Sequence, residues 1–174
     1  MKKKFPALVL ALALTLSLAA CGGKDAPAQD GGTQKDVNLT EFYNSLREKN
    51  EWPELMSLTE DEGSTELLDA YYPGLSELGT KQCGVYIAAI TSAVGEIALV
   101  ETESEEDAAK AAEIFQARID YQVGDDANPG GAWYPETIEG WKNSSKIVSQ
   151  GNYVMLAVGD NAASAVEDFE ALFA

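Results

Sequence analysis

The 174-residue chain contains no histidine. That absence removes Ser-His-Asp and Cys-His nucleophilic machinery, imidazole general bases and histidine-ligated zinc. Cysteine is nearly as scarce, with two residues in all, so no disulfide framework is available. Basic residues are few: 12 Lys and Arg stand against 29 Asp and Glu, a formal charge of −17. Such a balance argues against nucleic acid, whose affinity comes largely from cations neutralising phosphates. It also argues against a domain lying flat on anionic lipid. The glycines form no phosphate-cradling motif after a strand, and no P-loop is present. No stretch offers 18 uninterrupted apolar residues; the run from Val85 to Gly95 breaks at Glu96.

What is present begins with a basic start, Lys2-Lys3-Lys4, followed by an apolar run to Leu18. The run is short for a membrane anchor and suits the hydrophobic region of a signal peptide. An ordinary secretory exit wants small residues at −3 and −1. Here Ala20 satisfies −1, but Leu18 stands at −3. The pattern Leu18-Ala19-Ala20-Cys21 instead resembles the lipobox of bacterial lipoproteins. The resemblance implies cleavage behind Ala20 and a diacylglyceryl group on Cys21. Two acyl chains hold a protein stably where one holds it marginally, at about 0.8 kcal/mol per buried CH₂. Loss of residues 1–20 would remove three lysines and no acid, moving the charge from −17 to −20.

Residues 21–36, "CGGKDAPAQDGGTQKD", carry no large apolar side chain and read as a flexible tether. Random-coil scaling gives such a segment a span of roughly 20–25 Å. Residues 37–174 then form a single domain. Asn38 with Glu41 three residues on makes a capping-box-like helix start, and Leu39, Phe42, Tyr43 and Leu46 share a face. A shorter helix is expected from Ser64 to Tyr72, with Trp52 to Leu58 extended or turn-like between the two. "CGVYIAAITSAVGEIALVET" reads as a hairpin broken at "TSAVG". Ser104 caps the next helix, along which Ala108, Ala111, Ala112, Phe115, Arg118 and Ile119 follow at spacings of three and four. "KIVSQGNYVMLAVG" reads as a second hairpin turning at Gly151-Asn152, and Asp160 is expected to cap the last helix. The helix starts "AAKAAEIF" and "AASAVEDF" match at an offset of 54, which leaves an internal duplication open. The expected fold is α+β, a two-layer sandwich. Its four-stranded antiparallel sheet comes from two β-β-α units, with added N-terminal helices.

The lipobox, the tether, "EIALVE" before a capped helix and "GNYVMLAVGDNAASAVEDF" together resemble a family of small uncharacterised lipoproteins of clostridial-type Gram-positive bacteria. The resemblance spans residues 37–174 and is most specific over residues 96–102 and 151–169. It implies an extracytoplasmic, lipid-anchored protein on the outer face of the cell membrane. It supplies no activity, cofactor or catalytic residue.

Two loop features carry the remaining chemistry. Asp126 to Gly131 imitates the first half of a calcium loop, but Thr137 stands where a bidentate Glu is needed, so no metal is assigned. Trp133, Tyr134 and Trp141, set among Gly and Pro in "GGAWYPETIEGWK", offer a platform for a ligand or partner, or else a plug under a loop. Cys83, with Cys21 lipidated, has no intramolecular partner and reads as a small buried thiol, with an intermolecular bridge or a reactive thiol as the alternative. The expected function is a lipid-anchored binding or scaffolding domain without cofactor, acting on an envelope protein or glycan. The alternative is a carboxylate-dependent hydrolase of envelope glycans, which would need two facing acids about 5–10 Å apart.

Overall fold

The computed structural model describes residues 35–174 apart from residue 50 and residues 61–63. Cys21, the signal-like segment and the tether up to residue 34 lie outside the described residues. The elements are α1 (Leu39–Glu48), β1 (Leu55–Ser57), α2 (Ser64–Tyr71), a 3₁₀ turn (Leu75–Glu77), β2 (Thr80–Ala88) and β3 (Glu96–Thr102). After these come α3 (Glu105–Val123), α4 (Pro135–Asn143), β4 (Ser145–Gln150), β5 (Tyr153–Val158) and α5 (Ala162–Ala171). One antiparallel sheet runs in the order β1-β2-β3-β5-β4. Both expected hairpins form, and they join through β3 and β5, with Val100 opposite Val154. The second hairpin turns at Gly151, whose φ of 57° suits the left-handed region that glycine tolerates.

The sheet has five strands, not four. β1 adds an edge by pairing Leu55 with Ala88 and Ser57 with Tyr86. Three residues following Pro53 are too few to show alternation, and an edge strand tolerates a neighbouring proline.

The helices cover both faces, so the domain has three layers rather than two. Every residue of β3 and β5 is buried. Strand periodicity divides these residues between two cores. Ala98, Val100, Val154, Leu156 and Val158 pack with Phe115 of α3, Tyr72 and Leu75 after α2, and Trp141 of α4. Ile97, Leu99, Tyr153, Met155 and Ala157 pack with Phe42 of α1 and Phe169 of α5. Double burial explains why the central strands read as nearly continuous apolar runs. It also bears on the internal match. α3 and α5 lie on opposite faces, whereas a two-fold exchanging the antiparallel β3 and β5 would keep both helices on one face. No such symmetry relates the two β-β-α units, and the shared "AA…F" pattern belongs to amphipathic helices in general.

Ser104 caps α3 as expected, its Oγ accepting from the Asp107 amide at 3.1 Å. Asp160 does not cap α5; Asn161 occupies that position and makes no side-chain capping bond. The largest departure is α4, which falls in the segment read as a loop. Pro135 sits at the first helical position, where its missing N–H costs nothing. Gly140, inside this helix, sits against Val94, where an added Cβ would lie 2.7 Å from a methyl. The hydroxyl of buried Thr137 fastens the helix start. It accepts from the Tyr134 amide at 3.3 Å and donates to the Tyr134 carbonyl at 2.8 Å.

Candidate functional site

The first residue of β3 is Glu96, and its side chain enters the α3 face of the sheet. One turn beyond Phe115 on the apolar side of α3, Arg118 meets it. Arg118 Nε donates to Glu96 Oε1 and Nη2 to Oε2, each at 2.9 Å. This is the parallel, two-bond geometry in which Arg and carboxylate pair most strongly. Both side chains are almost wholly buried, at 5% and 3% exposure. Tyr72, at the end of α2, donates its hydroxyl to the same Glu96 Oε1. Aromatic rings surround the guanidinium, with centroids at 4.9 Å for Tyr71, 5.3 Å for Trp141 and 5.7 Å for Tyr72. Such contacts suit a cation that has left water.

Electrostatics fixes the protonation of Tyr72 and Arg118. Burial drives the Tyr72 hydroxyl well above the ordinary tyrosine range, the Glu96 charge adds to that, and Arg118 partly offsets it. Tyr72 is therefore a neutral donor. Burial opposes the charge on Arg118, but the Glu96 hydrogen bonds and charge outweigh it and hold the guanidinium protonated. The pair is net neutral and spends both carboxylate oxygens on fixed donors. Among the described residues, none accepts a hydrogen bond from Arg118 Nη1.

Above the pair opens a cleft of about 390 Å³. Ligand sites commonly occupy roughly 300–1,000 Å³. Its floor is Glu96 and Arg118, and its rim carries Ile90, Tyr121 and Trp133. Tyr121 and Trp133 are 65% and 86% exposed. The rim is built by the loop after α3. Gly131 and Ala132 donate their amides back to the carbonyls of Tyr121 and Gln122, at 2.8 and 3.1 Å. That return demands glycine. Gly124 takes φ 68°, and an added Cβ there would lie 2.3 Å from the Gly130 nitrogen. An added Cβ on Gly131 would lie 2.5 Å from the Tyr121 ring, so backbone and ring are pressed together.

The expected aromatic platform is only partly assembled. Trp133 and Trp141 line the same cleft, but Trp141 is buried beneath Arg118 at 6% exposure, and Tyr134 is not part of the lining. Trp141 thus supports the floor, Trp133 stands at the rim, and Tyr134 precedes α4. Glu96, Arg118, Tyr71 and Tyr72 were missed as a group. Their signal was nonetheless present, as one charge interrupting an apolar strand and one charge on the apolar face of a helix. In the calcium-like loop, an Asp125 carboxylate oxygen accepts from the amides of Ala127 and Asn128, both at 2.8 Å. Thr137 is buried at the start of α4. No group of three or more potential metal-ligating side chains occurs among the described residues.

Cys83 lies on β2 as a free thiol, and burial pushes it up to about 11. An ordinary thiol at 9.0 would hold about a hundredfold more thiolate at pH 8. Native full-length chain should therefore react with iodoacetamide at Cys83 about a hundredfold more slowly than urea-unfolded chain. Equal rates, followed by mass spectrometry, would show that the thiol is not sheltered.

The architecture defines an α+β domain with one five-stranded antiparallel sheet covered on both faces and a cleft at one end. No family model matches the chain, and no curated protein or solved structure matches it.

Proposed function

We propose that the chain is a lipid-anchored, extracytoplasmic binding domain that engages an envelope component through the cleft above Glu96 and Arg118. The observation that carries the binding half is a neutral ion pair, joined by two parallel hydrogen bonds, under a cleft whose rim exposes unpaired aromatic surface. A rigid floor with an apolar, accessible rim suits recognition, because little must reorganise when a ligand arrives. The anchoring half rests on the lipobox pattern ending at Cys21 and on the resemblance to small lipoproteins. Among the described residues no helix is long and apolar enough to cross a membrane.

The hydrolase alternative finds less support in this cleft. Glycoside cleavage needs two carboxyl groups facing the scissile bond. Glu96 is the one acid among the residues lining the cleft, and both of its oxygens already accept from Arg118. The deciding assay incubates purified full-length chain with isolated envelope glycan and follows new reducing ends. Binding without release is expected. Turnover that disappears in Glu96→Gln would overturn the proposal in favour of the hydrolase.

A further inference from the structure

Resting on that reading of the cleft, we infer that its ligand class is an uncharged saccharide, with a pyranose ring stacked on Trp133 and hydroxyls bonded to the polar floor. Charge selects against the alternatives. The floor is an ion pair with no net charge, so it offers no free cation to an anion and no free carboxylate to a cation. A formal charge of −17 on the chain further disfavours phosphate or carboxylate ligands.

The remaining groups match a sugar. Saccharides present both donors and acceptors around an apolar ring face. The cleft is lined by Arg118, whose Nη1 donates to no described residue, and by Gln122, a residue type whose side-chain amide both donates and accepts. Trp141, Tyr71 and Tyr72 have their rings turned to the guanidinium. Trp133 and Tyr121, by contrast, are in no aromatic pair or cation contact among the described residues. They are the exposed aromatic walls of the cleft. Tyr121 is held in place by Gly131 packed against it, so part of the wall is set before a ligand binds.

The test uses full-length chain and tryptophan fluorescence, which three tryptophans make available. Maltotriose, cellotriose and N,N′,N″-triacetylchitotriose are the neutral probes, and trigalacturonate and trialanine are the comparison arms. At least one neutral trisaccharide should give a saturable change, with Kd about tenfold or more weaker in Trp133→Ala and also raised in Gln122→Ala. Trp133 is so exposed that its truncation should leave the thermal transition in place, which a melt checks. A saturable response that Trp133→Ala leaves intact would overturn the inference. So would stronger binding of trigalacturonate or trialanine than of every neutral sugar, although such binding, if lost in Trp133→Ala, would leave the cleft itself supported as a binding site. Silence from all three sugars overturns the saccharide assignment. Photocrosslinking from position 133 separates that failure from failure of the cleft.

Discussion

Arg118→Met will lower the unfolding free energy by about 3–5 kcal/mol, the range for removing one partner of a buried ion pair. The cost arises mostly from what is left behind. Glu96 would be left without its counter-charge in a site that is 3% exposed and would lose two hydrogen bonds of 2.9 Å. The Tyr72 hydroxyl, pressed against the same oxygen, cannot replace them. The rings of Tyr71 and Trp141 would also lose their cation. Met retains the length and most of the volume of the Arg stem, which keeps the cavity contribution small. Converting both partners in Glu96→Leu/Arg118→Met should recover part of the loss, because no uncompensated charge then remains, while the buried Tyr72 hydroxyl loses its acceptor. Urea unfolding of the two single variants and the double variant measures the coupling directly. A cost below about 1 kcal/mol for Arg118→Met would place the pair with solvent-screened surface pairs.

Cys21→Ala should have an all-or-none effect of another kind. On the proposed anchor, the variant loses fatty-acid labelling and accumulates as unprocessed precursor, because the thiol that carries the diacylglyceryl group is gone. Each buried CH₂ contributes about 0.8 kcal/mol, so two chains lost together release the protein rather than loosen it. Metabolic labelling with a fatty-acid probe, followed by fractionation, reads both outcomes. Labelling equal to that of the natural chain would reject the anchor.

Much of the fold was legible because it is local. The apolar, β-prone runs in "EIALVET" and "YVMLAV", the Gly151 turn and the Ser104 cap each act within a few residues. Features that depend on the other side of the molecule were not legible. Full burial of β3 and β5 requires helices on both faces, yet nothing near those strands says which helix goes where. α4 was hidden by Pro135 and Gly140. Proline is tolerated at a first helical position, and Gly140 is explained only by Val94, which lies 46 positions away in the chain. β1 is too short to announce itself and exists because β2 offers it an edge.

The site divides in the same way. Trp133 was legible as an aromatic among glycines and prolines, and the structure leaves it exposed at the cleft. Trp141, eight positions later, was grouped with it, but helix α4 turns its ring under Arg118 instead. Glu96 and Arg118 are 22 residues apart, and each alone looked like an isolated charge in apolar surroundings. Their pairing is a tertiary fact. Yet two such charges of opposite sign in one small domain are a usable signal, because an unpaired buried charge is too costly to keep.

The central claim is that the cleft, rather than the rest of the surface, faces the envelope component. A photocrosslinking residue placed in the full-length chain on intact cells tests it. One variant carries it at position 133 on the rim, the other at position 167, exposed on α5 across the sheet. Crosslinks to a discrete envelope species from position 133, with none from position 167, are the result expected. Equal labelling from both positions, or labelling from position 167 alone, would contradict the account.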